Sequence, residues 1–229
     1  MSSSRFTFSI CLLTFALFLQ TTFGASPIFH FCSSSAGDFT SNGSYELKLN
    51  NLLGNLYNQT PPQGFGLISV GISPNQAYGL SLCRGDVSAP DCQTFVNEAS
   101  SEIPHYCPYN KGAIIWYDNG LLNSHCGTLK TLANTTTFTN QTRELWSLLA
   151  VEATLTPELY AVGELDVVVG GSNKHYGLVQ CTRDLSSSDC FKCLDGIIGE
   201  LPNCCNGKIG GRVVTGSCNI RYEIYPFFS

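Results

Sequence analysis

Cys181-Thr182-Arg183-Asp184-Leu185-Ser186-Ser187-Ser188-Asp189-Cys190-Phe191-Lys192-Cys193 sets three cysteines apart by eight and then two residues. A bridge across eight residues closes a small loop, and Cys190 and Cys193 share one face if Ser187 to Asp195 is helical. The helix start is signalled locally. Ser186-Ser187-Ser188-Asp189 has the form of a capping box, a hydroxyl cap answered by a carboxylate three residues on. The stretch reads as a loop stapled to the front of a helix, with the third sulfur available to tie that helix to something distant. A zinc knuckle or a redox Cys-x-x-Cys uses similar spacing, so the compartment has to decide.

The compartment is written at the other end of the chain. Arg5 supplies a positive n-region, Ile10 to Leu19 an apolar core, and Thr22-Phe23-Gly24 small residues for cleavage near Gly24 or Ala25. Residues 1–25 are therefore expected to be a secretory signal peptide. The run is too short to span a bilayer comfortably, and Tyr225 to Ser229 is too short for an anchor. The expected mature protein is soluble and secreted, with no membrane span. Eleven of the twelve cysteines then lie in an oxidising environment where disulfides persist, which disfavours the zinc and redox readings. Four Asn-x-Ser/Thr sequons, at Asn42, Asn58, Asn134 and Asn140, fit a glycosylated secretory protein. The 229 residues carry a net charge of -5 and no Lys/Arg run, which argues against nucleic-acid binding.

The chain also matches itself without a gap at an offset of 98 residues. Tyr78-Gly79-Leu80 and Cys83 fall on Tyr176-Gly177-Leu178 and Cys181. Asp86, Ser88, Asp91 and Cys92 fall on Asp184, Ser186, Asp189 and Cys190, and Glu102, Pro104, Cys107 and Gly112 on Glu200, Pro202, Cys205 and Gly210. Such a period is too long for a solenoid and indicates two globular modules in series, 26–129 and 130–229. In the first, Leu49, Leu52, Leu53 and Leu56 mark a helical face, and Asn140 to Glu152 carries the counterpart. Strands are expected at Gly66 to Gly71 and Leu165 to Gly170, at the two Tyr-Gly-Leu segments, at Gly112 to Asp118 and Gly211 to Thr215, and at Cys218 to Tyr225. A second helix follows Ser88 and Ser186, ending before Pro104 and Pro202. The expected fold is α+β: two tandem disulfide-stapled modules, each an antiparallel sheet of about five strands packed against two helices. Modules this small have thin cores, so disulfides worth about 2–4 kcal/mol each matter.

The Cys-x8-Cys-x2-Cys motif, followed by Cys205, Gly210-Gly211-Arg212 and Cys218-Asn219-Ile220-Arg221-Tyr222-Glu223, resembles the plant cysteine-rich repeat secretory proteins. Their module is the stress-antifungal domain, similar to ginkbilobin, an antifungal seed lectin. The resemblance covers essentially the whole expected mature chain. It implies an apoplastic protein whose modules are each a five-stranded antiparallel sheet carrying two helices. It also implies the pairings Cys32–Cys107, Cys83–Cys92, Cys181–Cys190 and Cys193–Cys218. Phe95 and Gly120 stand where Cys193 and Cys218 stand, so the first module lacks both ends of one bridge together. For the remaining sulfurs Cys126–Cys205 is expected, leaving Cys204 as the odd thiol; a vicinal Cys204–Cys205 bridge with Cys126 as the thiol is the rival.

No catalytic signature stands out. His30, His105, His125 and His175 lie in no metal-ligand spacing, and no nucleophile elbow, phosphate loop or dinucleotide fingerprint occurs. Neither an enzymatic activity nor a cofactor is expected. A carbohydrate site is the stronger candidate, because sugar hydroxyls are read by planar polar side chains. The resemblance implies mannose binding through an Asn, an Arg and a Glu, of which the Arg and Glu carry over onto Arg212 and Glu223. The Asn does not, since Gly127 follows Cys126 and Ser33 follows Cys32, and the first module has Ile114 and His125 at the Arg and Glu positions. The competing reading makes Arg212 and Glu223 a cross-strand ion pair on a sheet face. The expected partner is a mannose-type glycan or a cell-surface receptor ectodomain, with direct antifungal action as the alternative role. The low charge gives no sign of cationic membrane attack.

Overall fold

The computed structural model describes residues 27–73, 75–117, 135–166 and 174–228. The expected signal peptide, Cys126, the Asn134 sequon and the side chain of Cys204 lie outside the described residues. Module one runs β1 (Pro27–Cys32), α1 (Ser44–Gln59), β2 (Phe65–Val70), β3 (Ala77–Leu82), α2 (Ala89–Tyr106) and β4 (Ala113–Tyr117). Module two runs α3 (Thr135–Ala153), β5 (Tyr160–Asp166), β6 (Lys174–Cys181), α4 (Ser187–Gly199), the single turn α5 (Leu201–Cys204), β7 (Gly211–Val214) and β8 (Cys218–Glu223).

All strand pairs are antiparallel. Module two forms one sheet in the order β5-β6-β8-β7, and module one shows β2 on β3 and β1 on β4. At the 98-residue offset β3 matches β6 and β4 matches β7. The counterpart of β8, residues 120–125, lies outside the described residues. Two helices pack against the sheet strands in each module, giving the α+β class that the sequence indicates.

The shared Tyr-Gly-Leu segment shows why the residues repeat. A Cβ on Gly79 would lie 2.9 Å from Leu52 Cδ2, and one on Gly177 2.8 Å from Leu145 Cδ2, so the glycine lets the helix seat on the strand. The flanking tyrosine and leucine point to the opposite, outer face. Beneath the sheet of module two, Trp146, Leu149, Leu194, Ile198, Val179, Ile220 and Tyr222 form one buried core. Trp146 packs edge-on to Tyr222 at 5.2 Å and donates from Nε1 to the Arg221 carbonyl at 3.2 Å. The core of module one is smaller, built on Leu52, Leu56, Ala77, Val96 and the Cys83–Cys92 sulfurs.

Both capped helices begin as the sequence indicates. Asp91 N donates to Ser88 Oγ at 3.3 Å, and Asp189 N to Ser186 Oγ at 3.1 Å. Each serine hydroxyl in turn donates to the aspartate carboxylate. This bond, together with Lys192, lowers the pKa of Asp189. Disulfides join Cys83 to Cys92 and Cys181 to Cys190, each fastening a strand end to the first turn of the next helix. Two more join Cys32 to Cys107 and Cys193 to Cys218. Cys205 is also disulfide-bonded, and Cys126, its expected partner, lies outside the described residues.

Two expectations need correction. The first concerns β5, which begins at Tyr160 and not at Leu165; residues 167–170 of the expected strand lie outside the described residues. Tyr160 pairs with Gln180 as Phe65 pairs with Leu82, so Tyr160 is the true counterpart of Phe65. Val70 reaches Ala77 across six intervening residues, whereas Leu165 reaches His175 across nine. Between equivalent pairs the second hairpin is thus three residues longer, which displaces the repeat, and the β-propensity of Val167-Val168-Val169 placed the expected strand start too late. The second concerns α2, which continues through Pro104 to Tyr106. A proline in the last turn removes one hydrogen bond, and the Cys107 N–H still closes the turn on the Ile103 carbonyl at 3.0 Å. In module two the break falls earlier, and Pro202 sits in the first turn of α5, where no donor is needed.

The modules meet through matching strand ends and the loops beside them. Gln180 Nε2 donates to the Cys83 carbonyl at 3.0 Å in a buried contact, and Arg183 donates to the Gln63 carbonyl at 2.7 Å. The Tyr160 ring lies against Gly85, where a Cβ would be 2.5 Å from it. Gly85 is the counterpart of Arg183, and Phe65, two residues beyond Gln63, is the counterpart of Tyr160. Each module therefore offers the same two segments to the other, the reciprocity of a two-fold interface.

Candidate functional site on the outer sheet faces

Arg212 and Glu223, the two expected sugar-binding groups, do lie on one face. Register places Arg212 opposite Arg221, Arg221 opposite Leu178, and Glu223 opposite Tyr176. With alternation along β8, Arg212, Arg221 and Glu223 all point away from the helices. Arg221 joins them as a third polar group of this face, unexpected from the sequence motif. Its Nε donates to Glu223 Oε1 at 3.1 Å, and both side chains are only 5% exposed. The signal was present, because residues two apart on a strand share a face.

Three features enclose this pair. The Arg221 guanidinium lies 4.2 Å from the Phe227 ring centroid, a cation–π contact. Phe228 meets Tyr176 edge-on at 6.0 Å and Phe227 at 5.0 Å, so the segment after β8 lays two aromatic rings across the face. On the other side a Cβ on Gly210 would meet Glu223 Oε2, so any larger residue there would have to displace the carboxylate. Leu178, beside Arg221 on the neighbouring strand, is 1% exposed. A carboxylate enclosed and paired in this way is poorly placed to read a sugar hydroxyl, whereas Arg212 is only half-buried. A cavity of about 480 Å³ is lined mainly by module one, from Leu52 and Val96 on its helices to Leu80 and Trp116 on its strands, and reaches Arg212, Val214 and Asn219 of module two.

The outer face of module one differs in character. Leu67 pairs with Leu80 across β2 and β3, and Tyr78 lies two residues from Leu80 on the same face. Their exposures are 60%, 38% and 73%, respectively. Phe29, Phe31 and Ile114 add further exposed apolar side chains on the β1–β4 pair.

Elsewhere the chemistry is quiet. His175 is fully buried, with Nδ1 3.2 Å from Thr142 Oγ1 and the ring edge-on to Phe138. Burial lowers its pKa to about 4, so the ring stays neutral at physiological pH. Tyr160 stands beside the Arg84–Asp86 ion pair; burial foremost, then the charge of Asp86, raises its pKa. Among the described residues no group of three or more His, Cys, Asp or Glu side chains is placed to hold a metal ion. Among them, too, no helix is long and apolar enough to cross a membrane. The sequon asparagines Asn42, Asn58 and Asn140 are exposed.

Comparison with known proteins agrees with this architecture. The salt stress response/antifungal family matches twice, at residues 31–127 and 125–225. An antimicrobial ginkbilobin-2-like protein of Castanea crenata is 46% identical over 99% of each chain. Cysteine-rich repeat secretory protein 38 of Arabidopsis thaliana is 47% identical over 87% of this chain and 85% of that one. In structure, the tandem DUF26 ectodomain of the Arabidopsis thaliana cysteine-rich receptor-like protein PDLP8 superposes with a TM-score of 0.72 at 24% identity, covering 87% of this chain and 98% of that one. With two matching modules, paired cysteines and full-length relatives in agreement, the chain belongs to the salt stress response/antifungal family, the plant cysteine-rich repeat secretory proteins.

Proposed function

We propose that the chain is a secreted, non-enzymatic recognition protein of the plant apoplast, binding a cell-surface protein or a glycan in stress or defence. The observation supporting this reading is the contrast between its two outer faces. In module two the Arg221–Glu223 charges close on each other beneath aromatic rings. In module one a set of large apolar side chains stands in solvent, the mark of a binding surface. Of the two ligand classes the contrast favours protein. Binding of the labelled mature chain to plant cell-surface fractions tests this. Protease treatment of the fractions should abolish binding and enzymatic deglycosylation should leave it; the reverse pattern would move the assignment to a glycan.

A second reading, a directly antimicrobial mannose-binding protein, is supported by the shared face of Arg212 and Glu223. The 46% identity to a protein described as antimicrobial adds to it. On this reading the pure protein inhibits fungal growth, and Arg212→Ala removes both that inhibition and mannose binding on a glycan array. Growth inhibition unaffected by Arg212→Ala would count against the lectin mechanism.

A further inference from the structure

Resting on the recognition reading above, we infer that the outer face of module one, centred on Leu67, Tyr78 and Leu80, docks a partner protein segment carrying adjacent aromatic side chains.

The chain supplies its own precedent. Tyr78 and Leu80 have Tyr176 and Leu178 as counterparts, on the same outer face of equivalent strands. In module two the tyrosine is covered: Phe228 packs edge-on against Tyr176, and Phe227 lies over Arg221, the cross-strand neighbour of Leu178 in the sheet. Leu178, flanked by β8, is 1% exposed against 38% for Leu80, whose equivalent neighbour strand lies outside the described residues, and Tyr176, against Phe228, is half-buried while Tyr78 is 73% exposed. The tyrosine of this platform thus has an occupant in module two, a short non-regular segment with two consecutive phenylalanines. At the 98-residue offset, the counterpart of Tyr225-Pro226-Phe227-Phe228 is Gly127-Thr128-Leu129-Lys130, which brings no aromatic ring.

The surface chemistry suits that occupant. Tyr78 is held by a 2.7 Å hydrogen bond from its hydroxyl to Gln76 Oε1, leaving the ring standing beside Leu80. A rigid tyrosine flanked by two leucines presents apolar area at low entropic cost and an edge for a T-shaped partner, features of interface anchors. No charged side chain stands among these three, so the surface selects by aromatic packing and not by charge.

The test uses the full mature chain and a fluorescent synthetic peptide of sequence Glu-Ile-Tyr-Pro-Phe-Phe-Ser, followed by polarisation. Saturable binding is expected, weakened at least tenfold by Tyr78→Ala, about 1.4 kcal/mol, and equally by replacing both peptide phenylalanines with alanine. Leu67→Ser, on the same exposed face, serves as a second variant, with melting temperatures confirming that both variants fold. No saturable binding, or binding indifferent to Tyr78→Ala and Leu67→Ser, overturns the inference. Concentration-dependent dimerisation that Tyr78→Ala abolishes would make the occupant a second copy of this chain, and also overturns it. Binding of the labelled chain to cell-surface protein that persists in Tyr78→Ala would leave the recognition reading standing while removing this face from it.

Discussion

Glu223 shows how one neighbour decides what a residue can do. Read alone, a carboxylate beside a conspicuous arginine suggests a sugar ligand. In the fold, Arg221 binds it at 3.1 Å and both are buried. Removing one partner of a buried pair leaves an uncompensated charge, so Glu223→Ala should destabilise the protein by about 3–5 kcal/mol. Arg212→Ala, at a half-buried position, should cost much less; urea unfolding of both variants checks the ranking. Equal costs would show that the buried pair is not the dominant interaction. His175 gives a pH prediction. Its pKa falls from the ordinary 6.5 to about 4 on folding, so the unfolded chain binds more protons between those values. This group's contribution is complete above pH 6.5 and is lost as pH falls toward 4, by roughly 3 kcal/mol. His175→Phe should flatten that part of the stability–pH curve, measured as melting temperature from pH 7 to 4; an unchanged slope would remove His175 as its source. The Arg and Glu were visible in the sequence. Their environment was not, because it depends on Gly210, Phe227 and the cross-strand register.

At the scale of elements, local signals carried furthest where the chemistry is local. The serine caps, the helix they start and the strand-to-helix staples are all within nine residues of one another. The helix around Pro104 and the strand at Tyr160 escaped for an equally physical reason: tertiary packing tolerates a proline in a last turn, and a three-residue difference between equivalent hairpin pairs is invisible to a gap-free comparison. The Cys193–Cys218 bridge ties α4 to β8 and has no equivalent in module one, where Phe95 and Gly120 occupy the positions. Its loop of about 26 residues corresponds to roughly 3–4 kcal/mol in the chain-entropy account. A Cys193→Ser/Cys218→Ser double variant should lose that amount in denaturant unfolding while retaining the fold, as module one does without the bridge. A loss under 1 kcal/mol would mean that packing of α4 on β8 suffices alone.

For the whole molecule, the duplication was legible but the way its copies meet was not. Contacts such as Gln180 with Cys83 and Arg183 with Gln63 join residues far apart in sequence through groups that any loop carries. Gly85 offers the sharpest probe of this junction, because a side chain there meets the Tyr160 ring. Gly85→Val should cost about 1–3 kcal/mol by overpacking and speed proteolysis between the modules, whereas unchanged proteolysis would argue against a fixed junction. With the two modules held in this way, the chain's own aromatics lie over the Arg221–Glu223 face of module two, while among the described residues Leu67 and Tyr78 on the outer face of module one stand exposed. The most direct measurement is therefore binding of the labelled full mature chain to plant cell-surface protein, comparing Tyr78→Ala with Arg212→Ala. The account predicts that Tyr78→Ala loses binding at least tenfold and Arg212→Ala retains it; loss on Arg212→Ala with Tyr78→Ala unaffected would contradict it.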